Sequence, residues 1–392
     1  MIRTLAEVFS WLIAGAWGFK LAECFIGLRR VPDLRAEERG QASRTGESVV
    51  VIVPARNEEA NVGACIESLV RQDYVDLRVL AVDDRSEDRT GMVLEETAAR
   101  YPHRLEVIHV TELPAGWLGK THAMATAANT AIKRDRPDWL LFTDADILFE
   151  EDTIRRSLAE ARSSKADHFV VMPTTVAKSV GEGIVLSFMQ VMSLWALRPW
   201  QVANPKAKRD AIGVGAFNLI RTTAYLKLGG FEAIPMEILE DLTLGRRVKR
   251  CGLRQRVATG PGMVSVHWAR GVSGIVRGIT KNVFAVFQFR PLLLMFAAVW
   301  LAVFCIAPFV FFWIAGLRLA GSLAMLSAVG LYILSSRKSR LSGWFSLFLP
   351  VSASIVIYAL LRSMIVTLVR GGVIWRGTFY NLKELRRHSR GE

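Results

Sequence analysis

The feature that most limits how this chain can fold is the placement of its long apolar segments near the two ends. Segment 5–26 carries three charged residues, and segment 292–316 carries none. A helix needs roughly 20 apolar residues to cross a bilayer. Both segments are therefore predicted to be membrane helices, and the central part of the chain, with ordinary globular content, is predicted to lie between them.

Two further apolar segments, 319–336 and 344–369, are candidate spans that complete a C-terminal membrane region over 291–369. The first is at the short limit for a span. Pro350 and Arg362 interrupt the second, so a re-entrant or interfacial segment is the alternative there.

The N-terminal segment 1–28 is predicted to be a transmembrane anchor. A cleaved signal peptide is the alternative, but Arg29 and Arg30 follow the segment as a stop-transfer flank does. Lys and Arg favour the cytoplasmic side, so these arginines place the central domain inside the cell. A multi-pass protein of the cell inner membrane is predicted, and the basic tail 370–392 is placed in the cytoplasm by the same rule, although three C-terminal spans would put it outside.

Composition supports a membrane protein and argues against binding to nucleic acid. The chain has 392 residues, 51% of them hydrophobic, and a formal net charge of +14. The basic residues gather beside apolar segments and form no recognised nucleic-acid motif, which indicates attraction to anionic lipid and to a substrate diphosphate. The four cysteines show no spacing typical of zinc sites or disulfides.

The segment 47–290 alternates strand-like and helix-like runs, which is typical of an α/β fold with a mostly parallel sheet. An interfacial helix is expected near 184–200, with a packed core helix as the alternative. The four predicted strands are 48–54, 77–82, 105–110 and 139–142.

Two carboxylates directly follow the last of these strands. Asp144 and Asp146 are one residue apart, so both can face one ligand at the strand end. Hard oxygen ligands suit Mg²⁺ or Mn²⁺, with substrate phosphates completing the shell. A bare Asp-x-Asp also arises on solvated loops, and its position at a strand end is what favours a metal site.

A second pair, Asp83 and Asp84, directly follows the predicted strand 77–82 and predicts a ribose or base contact. Helix capping is the alternative interpretation of such residues. Capping is preferred for the neighbouring Ser86 and Asp88.

Five motifs follow one another along the central segment. They are Val-Pro-Ala-Arg-Asn-Glu-Glu at 53–59, Val-Asp-Asp-Arg-Ser-Glu-Asp at 82–88, Gly119-Lys120 with Ala123, Thr-Asp-Ala-Asp at 143–146, and Glu240-Asp241. Together they resemble the motifs of family 2 glycosyltransferases with the GT-A fold, and the resemblance spans nearly all of residues 49–252. The segment 113–120 and the tail 371–377 are similar to hopene-associated glycosyltransferases and their carotenoid and sphingolipid relatives.

The resemblance implies a donor that is a nucleotide-diphospho-sugar, most often a uridine one. It implies Asp146 as the direct metal ligand with Asp144 in support, and a Mg²⁺ or Mn²⁺ ion that stabilises the departing diphosphate. For Lys120, a solvated residue in a helix's first turn is the alternative. The implied donor-binding residues are Pro54, Glu58, Asp83, Asp84, Lys120 and Asp144.

The resemblance also makes Asp241 the general base that takes the proton of the acceptor hydroxyl, so that a single displacement inverts the anomer. A structural carboxylate at a helix N-terminus is the alternative. The glycines at 213, 215, 229 and 230 suit either an acceptor pocket or tight turns.

Processive members of this family carry Gln-x-x-Arg-Trp after the base, and the best counterpart here, 277–282, lacks both Gln and Trp. A non-processive enzyme that transfers one sugar to a membrane lipid, with a hopanoid as one candidate, is therefore expected. A polyprenyl-phosphate glycosyltransferase and an inactive nucleotide-sugar-binding membrane protein are the two alternatives.

Overall fold

The computed structural model describes residues 2–36, 42–375 and 378–389. Arg376, Gly377 and Arg390 of the predicted basic tail lie outside these ranges. The chain forms two compact units. The globular unit comprises Val31–Thr174 and Pro199–Val266, and the helical unit comprises Met1–Arg30, Thr175–Arg198 and His267–Glu392.

The strands are short and, apart from a C-terminal hairpin, lie between residues 49 and 266. In chain order they are β1 Val49–Ala55, β2 Leu77–Asp84, β3 Leu105–Val110, β4 Trp139–Phe142, β5 Ile147–Phe149, β6 His168–Met172, β7 Thr174–Thr175, β8 Asn218–Arg221, β9 Gln255–Thr259, β10 Val264–Val266, β11 Gly372–Trp375 and β12 Thr378–Asn381.

The helices alternate with the strands in the globular unit and dominate the helical unit. In chain order they are α1 Ile2–Gly27, α2 Val62–Val70, α3 Thr90–Arg100, α4 Gly119–Arg134, α5 Thr153–Ser163, α6 Val180–Ala196, α7 Thr222–Lys227, α8 Glu240–Arg250, α9 Gly271–Val286, α10 Pro291–Leu301, α11 Ala307–Trp313, α12 Arg318–Ser336, α13 Leu349–Arg370 and α14 Leu382–Ser389.

The globular unit is built on a seven-stranded sheet in the order β3-β2-β1-β4-β8-β6-β9. The first four of these strands are parallel, β8 is antiparallel to β4 and to β6, and β6 is parallel to β9. A second, three-stranded sheet has the order β5-β10-β7. This α/β architecture, with a large and mostly parallel sheet, is the one that the sequence predicted.

The alternation of side chains along β1 builds an apolar layer on each face of the large sheet. Val49, Val51 and Val53 pack into one cluster, and Val50 and Ile52 pack into the other. All seven residues of β1 are buried. Near-continuous apolar strands are typical of parallel sheets that are covered on both faces, and this burial holds the strand ends in fixed positions.

Five helical segments in the described part of the chain are long and apolar enough to cross a membrane. They are Arg3–Arg30, Val180–Gln201, Pro291–Trp313, Arg318–Ser336 and Gly343–Arg370. Four of them coincide with the four apolar segments predicted from the sequence.

The last of these segments is continuous, despite the proline that interrupts its sequence. Gly343–Phe348 forms a 3₁₀ turn, and Pro350 lies in the first turn of α13. A proline is tolerated there because its missing N–H would have no helical partner. Pro350 therefore begins this helix and does not break it.

The helix expected near 184–200 is α6, and it belongs to the helical unit. Phe188 is only 1% exposed, and Trp195 packs edge-on against Trp17 and Trp300 with ring centroids 5.2 and 5.1 Å apart. Phe188 is therefore a buried side chain, and Trp195 is a packing residue of the helical unit.

Candidate active site

The carboxyl ends of β1 and β4 meet at one edge of the large sheet. Ile52 of β1 aligns with Phe142, the last residue of β4. Beyond this pair, the backbone N–H of Thr143 donates to the Ile52 carbonyl at 3.1 Å, and that of Asp144 donates to the Gly215 carbonyl at 3.0 Å. The aspartate is thus fixed at the strand end, where ligands bind in open α/β sheets.

Lys120, in the first turn of α4, lies between two carboxylates of the globular unit. Its Nζ is 2.5 Å from Asp144 Oδ1 and 2.5 Å from Glu240 Oε1. Burial alone would lower the pKa of Lys120, but the surrounding carboxylates, with Asp144 the strongest, raise it overall. The side chain is 17% exposed, which excludes the alternative of a solvated lysine.

Glu240 is a residue of this cluster that the motifs did not assign to the site. It is 5% exposed and begins α8, one residue before the predicted base. Burial raises the pKa of Glu240, while the Lys120 ammonium opposes the rise. Its adjacency to Asp241 was the one available sequence signal, because the lysine that it contacts is far away in the chain.

Asp241 lies in the first turn of α8, and its side chain is tied to the helix start. The backbone N–H of Leu242 donates to Asp241 Oδ1 at 2.6 Å. Burial raises the pKa of the Asp241 carboxyl, opposed by the Lys120 ammonium and by this hydrogen bond. A raised pKa in a carboxyl group strengthens it as a proton acceptor, which suits a general base.

Asp146 lies in a crowded acidic environment. Burial, the Asp144 carboxylate and the Glu58 carboxylate raise the pKa of Asp146 to about 6. Hard oxygen donors that repel each other fit a divalent cation, because its charge would relieve the repulsion. In the described residues no group of three or more His, Cys, Asp or Glu side chains could hold a metal ion. This donor set fits an ion that draws its other ligands from a diphosphate and water.

Asp83 and Asp84 are the last two residues of β2, so their side chains point to opposite faces of the sheet. Asp83 Oδ2 is 3.2 Å from His109 Nδ1. Asp84 is 3% exposed and forms a two-pronged ion pair with Arg85, whose Nε and Nη2 donate to its two oxygens at 2.7 and 3.0 Å. The two residues therefore have different environments, and Arg85 is a second neighbour that the motifs did not assign.

The helix-capping interpretation fits Asp88 and not the strand-end pair. Asp88 Oδ1 accepts from the backbone N–H of Thr90 at 2.9 Å, at the start of α3. Glu58 Oε2 accepts from Asn61 Nδ2 at 3.1 Å. Pro54 is buried in β1 and aligns with Val82 of β2.

The glycines near the site serve two different purposes. A Cβ at Gly213 would overlap the backbone carbonyl of Asp241, and a Cβ at Gly215 would overlap the Asp144 carboxyl group. Close approach to the backbone therefore requires Gly213, whereas a side chain at Gly215 would displace the Asp144 carboxyl group. Gly229 and Gly230 have φ of 77° and 60°, so a turn in the left-handed region requires them.

Comparison with known proteins finds related glycosyltransferases. A protein of Staphylococcus haemolyticus, 4,4'-diaponeurosporenoate glycosyltransferase, is 26% identical over 278 residues, which cover 69% of this chain and 70% of the relative. The uncharacterized glycosyltransferase EpsJ of Bacillus subtilis is 32% identical over 119 residues, which cover 30% of this chain and 32% of the relative.

A solved structure has a similar fold. The mannosyltransferase PcManGT from Pyrobaculum calidifontis, in complex with GDP-Man and Mn²⁺, aligns with a TM-score of 0.53 and 17% identity over 92% of this chain and 99% of its own. Residues 46–270 match the family described as "Glycosyltransferase like family 2". Because that match covers more than half of the chain and contains the whole carboxylate cluster, this protein belongs to the family 2 glycosyltransferases and has the GT-A fold.

Proposed function

We propose that this protein is a membrane-bound, inverting, non-processive glycosyltransferase that moves one sugar from a nucleotide-diphospho-sugar to a lipid acceptor. The observation that carries the proposal is the buried Lys120, bracketed by Asp144 and Glu240 and adjacent to Asp241. A nucleotide diphosphate brings negative charge to such a site, and a fixed cation among carboxylates suits its binding and departure.

Residues at the carboxyl edge of the sheet would hold the donor. Glu58 and Asp83 would contact the nucleoside, with Pro54 and Asp84 shaping the floor beside them. Uridine is the proposed nucleoside, and the GDP-Man complex of PcManGT makes guanosine the comparison to include.

Asp241 would accept the proton of the acceptor hydroxyl as that oxygen attacks the anomeric carbon. The new glycosidic bond forms as the bond to the diphosphate breaks, and one such displacement inverts the anomer. Proton removal by a positioned side chain contributes about 10²–10⁴ in rate. The burial that raises the pKa of Asp241 supports this role.

Asp146 and Asp144 would hold Mg²⁺ or Mn²⁺. Bound there, the ion would act as a Lewis acid on the leaving diphosphate. The Mn²⁺ in the complex of PcManGT supports a divalent ion of this kind.

The acceptor is proposed to be a lipid, with a hopanoid as one candidate. The relative from S. haemolyticus is named for transfer to 4,4'-diaponeurosporenoate, which supports a lipid-like acceptor. The position of α6 in the chain also supports it, because α6 lies between the metal-binding pair and the base in sequence.

The strand pairing argues that α6 does not cross the membrane. β6 precedes α6, β8 follows it, and the two strands pair within one sheet. Both ends of α6 must therefore return to the same side of the membrane. A helix of this composition that does not span is expected to lie at the membrane surface or to re-enter it, where a lipid hydroxyl is available.

We place the globular unit in the cytoplasm and the protein in the cell inner membrane, with α1 and the C-terminal helices as its spans. The cytoplasm is the compartment that supplies nucleotide sugars, and Arg29 and Arg30 at the end of α1 support the same orientation.

The test is transfer by the purified protein in lipid nanodiscs supplied with uridine and guanosine diphospho-sugars and a bacterial lipid extract. One sugar per lipid is the expected product by mass spectrometry, and EDTA is expected to stop its formation. Products with several sugars, or transfer only to water-soluble acceptors, would contradict the proposed acceptor class. A sugar attached to the phosphate of an isoprenyl phosphate would instead identify the polyprenyl-phosphate activity.

The base is tested by Asp241→Asn, which should lower kcat by at least about 100-fold and leave donor affinity nearly unchanged. Asp152→Asn is the matched control, because Asp152 also stands at a helix N-terminus in the globular unit, at the start of α5. An unchanged kcat with a raised KM would show that Asp241 binds substrate and does not act as the base.

A further inference from the structure

The helical unit contains a small basic cavity between α9, α13 and the start of β11, away from the carboxylate cluster in sequence. Its volume is about 140 Å³. The residues that line it are Arg277, Thr280, Lys281, Arg362, Val366, Thr367, Arg370, Gly372, Val373 and Ile374. Four of these ten carry a positive charge, and none carries a negative one.

Helical spacing produces this concentration of charge. Arg277 and Lys281 are four residues apart on α9, and Arg362 and Arg370 are eight apart on α13, so each pair shares a helix face. Two helices thus present their basic faces to one cavity.

The two helices are held together beside the cavity. Ser363 Oγ donates to the Thr280 carbonyl at 2.7 Å, and Ser363 and Thr367 are buried. The four cationic side chains of the cavity are exposed around these buried residues. Among the described residues, Arg277, Arg362 and Arg370 form no ion pair with a carboxylate, so nothing in this part of the chain neutralises them.

The location restricts the ligand. Arg362 and Arg370 fall in the last three turns of α13, within the apolar segment Gly343–Arg370. Charged residues in a membrane segment are costly, and they usually mark a functional site. The end of such a segment lies at the level of the lipid headgroups, whose phosphate groups are the nearest anions. Basic pockets between membrane helices bind these groups.

We propose that this basic cavity binds a phosphate group carried by a membrane lipid. Guanidinium groups bind phosphate oxygens in pairs, which is why arginine outnumbers lysine where phosphates are recognised. A cavity of this size accommodates a phosphate but not a sugar nucleotide, since sites for drug-sized ligands are about 300–1,000 Å³. The phosphate can belong to a resident phospholipid or to a phosphorylated lipid substrate, and both present the same group to the arginines.

Native mass spectrometry of the purified full chain tests the proposal. Phosphatidylglycerol, an isoprenyl phosphate and an uncharged diacylglycerol are added in parallel. The variant carries Arg277→Gln, Arg362→Gln and Arg370→Gln, and the matched control carries Arg337→Gln, an exposed arginine at the end of α12 outside the cavity. The triple variant is expected to bind at least one phosphate lipid at least about tenfold more weakly than wild type and control do.

The comparison of the two phosphate lipids identifies the source. Loss of phosphatidylglycerol binding alone indicates a resident phospholipid. Loss of isoprenyl phosphate binding alone indicates a phosphorylated substrate lipid. Equal binding of both phosphate lipids by wild type and triple variant would overturn the proposal. Binding of diacylglycerol to wild type as tight as that of the phosphate lipids would also overturn it.

A second variant separates charge from folding. Replacing the same three arginines by lysine preserves the positive charge and should retain more binding than the glutamine variant. Equal loss in the lysine and glutamine variants, with unchanged melting temperatures, would show that charge does not hold the lipid. The proposal does not depend on sugar transfer. A protein that binds phosphate lipids through this cavity but transfers no sugar would still support it.

Discussion

At the scale of single residues, Lys120 joins two carboxylates that lie far apart in the chain. It compensates two carboxylates, one of which is the buried Glu240. Removing one partner of a buried ion pair leaves the other charge uncompensated, and that loss costs more than the pair contributes when it is intact. The lysine is therefore expected to support stability as well as donor binding.

A double-mutant cycle tests this coupling. Lys120→Met should lower the free energy of unfolding by about 3 kcal/mol or more, and adding Glu240→Gln should recover part of the loss because it removes the stranded charge. Thermal melting of the purified single and double variants measures both effects. Lys133→Met, at an exposed lysine in α4, is the control and should change little. Strictly additive losses would mean that the two side chains do not interact energetically.

The residue scale also shows the limit of sequence reasoning. The motifs singled out Asp144, Asp146 and Asp241 as candidates, because carboxylates at strand and helix ends are visible in the sequence. They could not reveal that Lys120 bridges Asp144 and Glu240, because that contact joins distant parts of the chain. Nor could they show that Arg85 forms an ion pair with Asp84, because two charged residues that are adjacent in sequence make contact only in some backbone conformations.

At the scale of elements, one buried histidine connects three strands. His168 of β6 hydrogen-bonds through Nε2 to Asn218 of β8, and its Nδ1 accepts from Gln255 Nε2 of β9 at 2.9 Å. Both ring nitrogens are thus satisfied in the neutral form. Burial lowers the pKa of His168 to about 4, from an ordinary value near 6.5.

Acid is therefore expected to weaken this part of the sheet. Between about pH 6.5 and pH 4 the unfolded chain binds a proton at this histidine that the folded chain does not, so stability falls as pH falls. The full loss is on the order of 3 kcal/mol. Melting temperatures at pH 7 and pH 5 should differ less in a His168→Gln variant than in wild type. An identical pH dependence in the two proteins would show that His168 does not contribute.

A second element-scale prediction concerns the start of α8. Gly213→Ala should push the backbone away from the Asp241 carbonyl, so both stability and turnover are expected to fall. Gly15→Ala is the control, because a Cβ there meets nothing within 4 Å and alanine favours the helix α1. Measured melting temperatures and transfer rates should separate the two variants. Full activity in Gly213→Ala would mean that the close approach is dispensable.

Periodicity predicted the elements better than it predicted their surroundings. The ranges of β3 and β4 are those predicted, because a run of apolar residues with clear boundaries defines a buried strand. β2 is longer than predicted and includes Asp83 and Asp84. Two consecutive carboxylates are not typical of a buried strand, so the apolar pattern ended at Val82. The burial of Phe188 and the packing of Trp195 were not predictable, because an apolar side chain can be buried equally well against lipid or against another helix.

At the scale of the whole molecule, chemical labelling of one cysteine can test the proposed orientation in the membrane. Cys251 is exposed and lies in the globular unit directly after α8, whereas Cys24, Cys65 and Cys305 are buried. A membrane-impermeant maleimide should therefore label Cys251 in inverted vesicles and not in intact spheroplasts, if the globular unit faces the cytoplasm.

Mass spectrometry of the labelled protein measures this difference. Cys251→Ser should abolish labelling from either side, which excludes reaction at the three buried thiols. Labelling of wild type in intact spheroplasts would place the globular unit outside and reverse the proposed topology.

The excursion of α6 between β6 and β8 has a consequence for biosynthesis. As the chain leaves the ribosome, β1 to β4 and β6 emerge first, then an apolar helix, and only later the strands that pair with β6 on either side. At ~5–20 residues per second, both edges of β6 stay unpaired for several seconds, the time in which α6 would reach its proposed place at the membrane. A slow insertion machinery would therefore expose the nascent sheet to aggregation, and correct timing of helix delivery is expected to govern how much of this enzyme a cell can make.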